Sequence, residues 1–211
     1  GLAPAKRPAR GGCDSCAPVW RGVNLFASAG VREARLAAIL QVDGRGAVRT
    51  IYWRTMDSSL GTVLLGATTR GVCCLSFGEG EAALRARFPQ AELVPAGTEH
   101  DALFARVLAA VEEPGTGDDI PLDVHGTQFQ RRAWEALRAI PAGETRSYGE
   151  QAVALGDPNA SRAVGGANRA NPVAVLIPCH RIVAADGGMG GYAYGAEIKA
   201  ELLRREGALV L

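Results

Sequence analysis

No stretch of this sequence is apolar for long enough to cross a membrane as a helix, since no run approaches the roughly 18 residues required. No secretory leader pattern opens it either. Net charge is slight. Lys and Arg number 23 against 22 Asp and Glu, a formal charge of +1, which excludes a protein held to nucleic acid mainly by overall basicity. Cysteine is scarce and odd in number, with Cys13, Cys16, Cys73, Cys74 and Cys179 the five present. That excludes a simple disulfide framework, and a chain of 211 residues needs none. The setting expected is a reducing cytoplasm.

What is present is ordinary for a globular chain. Hydrophobic residues make up 47% and charged ones 21%, so disorder over the whole length is excluded. The length suits one or two domains of about 100–150 residues. Charge is unevenly placed: residues 1–54 carry 9 basic and 3 acidic side chains, 55–124 carry 4 and 11, and 125–211 carry 10 and 8. A polyanionic partner should therefore avoid the middle segment.

Residues 1–47 read as a poorly determined leader, rich in Pro, Ala, Gly and Arg at its start. Cys13 and Cys16 make a C-x-x-C pair, half of a zinc site, but no second pair repeats the spacing. No metal is expected. Residues 48–119 read as a small α/β domain. Segments 48–53, 61–68 and 71–77 are rich in β-branched and apolar residues between short turns, which predicts antiparallel hairpins. Segments 81–88 and 100–111 have helical spacing, and 112–119 is a charged, breaking linker.

From Thr127 the pattern turns helical, with Phe129, Ala133, Trp134, Leu137 and Ile140 on one face and Pro141 closing it. Ser147 is placed to cap a second helix, with Glu150 at the capping-box position. That helix ends at Leu155-Gly156. Residues 160–167 start another helix of small residues. Two short helices across a glycine-containing turn match a helix-turn-helix, a weak signal alone.

The most informative stretch is Ile177-Pro178-Cys179-His180-Arg181-Ile182-Val183. A hydrophobic run delivers a cysteine directly followed by His and Arg, whose charge would favour the reactive thiolate. Taken alone, a buried structural thiol explains it as well. Further motifs stand at set distances: Phe129-Gln130 with Trp134, Ser147-Tyr148, Arg162-Ala163-Val164-Gly165, Asn171-Pro172, Gly191-Tyr192, and Leu202-Leu203 with Glu206. Together they resemble the O6-alkylguanine-DNA alkyltransferases, bacterial branch, over roughly residues 50–207.

The resemblance implies an α/β amino-terminal domain followed, over residues 120–211, by an all-α helix-turn-helix domain of winged-helix type. It implies direct-reversal repair, with one alkyl group moved irreversibly from O6-alkylguanine (O4-alkylthymine a second candidate) to the chain's own cysteine. Cys179 then corresponds to the acceptor, His180 to the general base and Glu206 to the carboxylate that orients it. Asn171 corresponds to the asparagine ordering the adjacent turn, and Tyr192 to the hydroxyl assisting the leaving guanine. A base attacked at O6 must leave the duplex, and something must fill the gap. Arg162 corresponds to that finger, Tyr148 to the residue that promotes rotation of the target, and Ala163 and Gly165 to the small residues that admit the helix to the minor groove. No metal or organic cofactor, no membrane and a monomer are implied. A turnover-competent cysteine hydrolase, a lesion-binding module without chemistry and a plain helix-turn-helix regulator are the alternatives. None of them accounts for both Cys179 and the motifs around it.

Overall fold

Two glycines with positive φ shape the first hairpins. The computed structural model describes residues 50–208; the leader, with Cys13 and Cys16, lies outside them. Strands β1 (Thr50–Ser58), β2 (Gly61–Thr68) and β3 (Gly71–Phe77) form an antiparallel meander. Two-residue connections join them before Gly61 (φ 101°) and Gly71 (φ 152°). A side chain at Gly71 would meet the carbonyl oxygen of Pro121 at 2.4 Å. Its absence lets Val72 pair with the segment at Leu122.

The sheet departs from the expected antiparallel one. After α1 (Glu81–Arg87), residues Glu92–Pro95 form β4, which pairs in parallel with β1 and gives the order β3-β2-β1-β4. The sheet is therefore mixed. Only Leu93 and Val94 are apolar in β4, too few to signal a strand, and the pairing follows because α1 carries the chain back to the free edge of β1. Helix α2 (Asp101–Glu112) buries Phe104, Val107, Ala110 and Val111 against one face.

In the second half, α3 (Gln128–Arg138) starts at a full capping box between Thr127 and Gln130. It buries Ala133, Trp134 and Leu137. Helix α4 (Tyr148–Ala154) has the expected box between Ser147 and Glu150. Gly156 (φ 89°) then turns the chain toward α5 (Ser161–Arg169). Trp134 fastens α3 to α5 by donating from Nε1 to the Ala167 carbonyl at 2.9 Å. Gln151 and Asn168 fasten α4 to α5 through reciprocal side-chain hydrogen bonds of 3.3 and 2.8 Å. This half is not wholly helical. Arg146–Ser147 (β5) and Ile182–Val183 (β6) make a two-residue parallel pair, too short to leave a periodic signal. Helix α6 (Ala196–Arg205) closes the described chain.

One apolar cluster spans both halves, joining Leu75 and Phe77 of the sheet to Phe104, Trp134, Val173, Ile177 and Leu202. The free edge of β3 is covered. Leu75 donates to the Pro172 carbonyl and accepts from Ala174, both at 2.9 Å. That edge contact places the segment leading to Cys179.

Candidate active site

Residues 171–178 leave α5 and dock on β3. Asn171 organises their turn. Its Oδ1 accepts from the Val173 amide at 3.0 Å, while Nδ2 donates to the Ile177 carbonyl at 2.8 Å and to Cys179 Sγ at 3.2 Å. Val175 within this turn has φ 67°, a left-handed conformation that strains a β-branched side chain. Cys179 opens a single 3₁₀ turn, Cys179–Arg181, and is half-buried.

Behind it lies a buried polar relay. His180 is fully buried, with Nε2 3.0 Å from Glu206 Oε1. Glu206, at the end of α6 and likewise fully buried in its side chain, also accepts from Arg181 Nε (2.9 Å) and Nη2 (2.7 Å). Burial alone would raise the Glu206 carboxyl, but hydrogen bonds from His180 and Arg181 overcome it and hold the group at about 2. Burial pushes the His180 imidazole down, so it is neutral near neutrality. Because a carboxylate only accepts, Nε2 carries the proton. Nδ1 is then the basic lone pair, and among the described residues it has no hydrogen-bond partner.

The thiol itself differs from the sequence expectation. Burial raises Cys179 above its ordinary value, against the lowering effect of the Asn171 hydrogen bond and the Lys199 charge. Neither neighbour in the chain supplies the expected cation. His180 is neutral, and the Arg181 guanidinium is engaged by Glu206 and by the Ile140 carbonyl. The arrangement favours proton transfer to a neighbouring base at the moment of reaction over a standing thiolate.

Tyr192 completes this group. Its phenol is held well above the ordinary range, first by burial and then by the charge of Cys179, which makes it a neutral O–H donor. Its hydroxyl has no hydrogen-bond partner among the described residues. Tyr148 donates to the Gly191 carbonyl at 3.4 Å. Its ring lies against Gly165, where an added Cβ would sit 3.8 Å away. Cys179, Asn171, His180, Glu206 and Tyr192 are thus gathered, with Tyr148 at their margin. Arg162 and Ala163 stand apart from the thiol, exposed on the first turn of α5. The link between the two groups is the chain itself, since Asn171 follows α5 directly.

Two residues escaped the sequence reading. Arg181 was legible as a cation but not as the partner of Glu206, 25 positions away. Lys199 carries no motif in the sequence and is fully buried. A cavity of about 230 Å³ behind Arg181, lined by Gly115, Asp118, Arg138 and Pro141 among others, includes none of the predicted site residues.

Comparison with known proteins agrees with this geometry. A family model described as 6-O-methylguanine DNA methyltransferase, DNA binding domain, matches residues 128–208. The Escherichia coli bifunctional transcriptional activator/DNA repair enzyme Ada is 43% identical over 160 residues, which is 74% of this chain and 45% of that protein. The chain thus spans about half the length of the Ada relatives it matches. A methylated-DNA–protein-cysteine methyltransferase of Methanosarcina acetivorans is 38% identical over 75% of this chain and 99% of its own length. Among solved structures, Mycobacterium tuberculosis OGT in complex with DNA superposes with a TM-score of 0.61 at 37% identity. That match covers 74% of this chain and 92% of the other.

Proposed function

This chain belongs to the methylated-DNA–protein-cysteine methyltransferase family, and from that premise we propose that it repairs O6-alkylguanine in DNA by taking the alkyl group onto Cys179. The observation that carries this reading is the Cys179 thiol, hydrogen-bonded by Asn171 and next in the chain to a neutral imidazole whose Nε2–H is engaged by Glu206.

In the reaction, the Cys179 proton passes to Nδ1 of His180 through a bridging water. The resulting imidazolium is stabilised by the Glu206 carboxylate. Sulfur attacks the alkyl carbon, a C–S bond forms, and the bond from that carbon to O6 breaks. The base leaves with the electron pair of that bond and accepts a hydrogen bond from the Tyr192 hydroxyl. It takes up a proton from solvent to become guanine, while His180 returns its proton to solvent and Asn171 holds the thiol turn. The product is a thioether, and nothing in the site can cleave it. Each molecule therefore reacts once.

The DNA-facing part is the α4–α5 pair, with β5 and β6 as rudimentary strands beside it in the manner of a winged helix. Arg162 fills the gap left by the extruded base, and Tyr148 crowds the target nucleotide. Ala163 and Gly165 allow α5 to approach the backbone in the minor groove. A monomer suffices for this.

The experiment is a titration of duplex DNA carrying O6-methylguanine. Repair should plateau at one lesion per protein molecule and vanish in Cys179→Ser, since a hydroxyl is a far weaker nucleophile. Sustained turnover would contradict the proposal.

A further inference from the structure

Lys199 sits on the inner face of α6 with no exposed surface. Burying an ammonium is costly unless its protons are matched by acceptors. Here Nζ donates to the carbonyl oxygens of Ile182 and Met189, both at 2.5 Å, and reaches that of Gly191 at 3.5 Å. These acceptors come from two places. Ile182 leaves the turn that contains Cys179, whereas Met189 and Gly191 belong to the connection between β6 and α6. Five of the twelve residues 184–195 in that connection are glycine, and Gly187, Gly190 and Gly195 take positive φ. Such a segment has few side chains of its own to define its path, yet it carries Tyr192, whose ring packs edge-on against Tyr194 at 5.5 Å. The Gly191 carbonyl also accepts from Tyr148. A methionine would fill the space of Lys199 without the desolvation penalty. What the ammonium adds is three donors at one point.

We infer that Lys199 is a positioning residue for alkyl transfer: by gathering the carbonyls of Ile182, Met189 and Gly191 it fixes the glycine-rich loop that sets Tyr192 beside Cys179, and so shapes the wall of the base pocket. The inference rests on the reading of Cys179 as the acceptor. The Lys199 charge also lowers the Cys179 thiol, and the loop's effect is what transfer from the base loses beyond that.

The test compares the full chain with Lys199→Met and Lys199→Gln in single-turnover transfer from free O6-benzylguanine, across concentrations. Alkylation of Cys179 by iodoacetamide, which needs no base pocket, is measured in parallel. Lys199→Met should raise the half-saturating concentration of the base, or lower its limiting rate, by about 10-fold or more. Its iodoacetamide rate, which loses only the lowering effect of the Lys199 charge on the thiol, should fall by much less than that. Lys199→Gln, a shorter neutral arm that keeps two donors, should fall between wild type and Lys199→Met, and gives the same comparison should Lys199→Met fail to fold. A wild-type saturation curve in either variant would overturn the inference. So would a parallel loss with both reagents, which would place Lys199 on the thiol itself. Failure of the wild-type chain to transfer would overturn the acceptor assignment and this inference together.

Discussion

Glu206→Gln tests the buried relay most severely. The carboxylate accepts three hydrogen bonds, from His180 and Arg181 Nη2 on Oε1 and from Arg181 Nε on Oε2. An amide has one oxygen. Whichever way it is turned, its NH₂ meets an Arg181 N–H, and the buried guanidinium loses both an acceptor and its counter-charge. Magnitude follows from the proton affinity. A carboxyl at about 2 in the folded chain, against an ordinary value of 4.5, contributes on the order of 3 kcal/mol at neutral pH. That agrees with the roughly 3–5 kcal/mol lost when one partner of a buried ion pair is removed. The sign is fixed, because the folded value lies below the unfolded one. The contribution is fully present above the unfolded value and lost as pH falls toward the folded one. Urea unfolding of wild type and variant should therefore differ by about 3 kcal/mol at neutral pH, and by under half of that near about pH 3. Equal stability at neutral pH, or a gap that does not shrink in acid, would refute the relay as described.

Other outcomes follow from the same contacts. Asn171→Ala removes the donor to Sγ and both fastenings of the turn. It should slow transfer by about 10-fold or more and move iodoacetamide alkylation of Cys179 to higher pH, and an unmoved profile would dismiss the hydrogen bond. In wild type, burial raises the thiol, so that alkylation should still be climbing above neutral pH, where a plateau below the ordinary cysteine range would restore the standing-thiolate view. Arg162→Ala should slow transfer from duplex DNA strongly while leaving transfer from free O6-benzylguanine intact; equal losses would assign Arg162 to the fold. Trp134→Phe keeps a six-membered ring but deletes the fused pyrrole. That strands the Ala167 carbonyl and leaves a cavity at a fully buried site, at an expected loss of about 2–4 kcal/mol in urea unfolding.

Much of this molecule was legible in the sequence because its signals are local. Strands 61–68 and 71–77 appear as read, since glycines bound each run. The Ser147 and Glu150 box sits where its spacing put it. Strand β4 was invisible because its identity comes from pairing with β1, not from its two apolar residues. The same applies to β5 and β6. At the site, residue types and order marked Cys179, His180 and Asn171, while the engagement of Arg181 by Glu206 and the burial of Lys199 are long-range facts of packing. The expected lowering of the thiol failed for that reason: adjacency in sequence placed two basic residues near sulfur, and the fold turned one of them to Glu206 and left the other neutral.

The most direct measurement is the intact and peptide mass of the chain after incubation with duplex DNA containing O6-methylguanine. The account predicts one added methyl group per molecule, carried by the peptide containing Cys179, with the lesion converted to guanine in equal amount. A methyl group on Cys73 or Cys74 with Cys179 unmodified, or repaired DNA with no mass added to the protein, would contradict it.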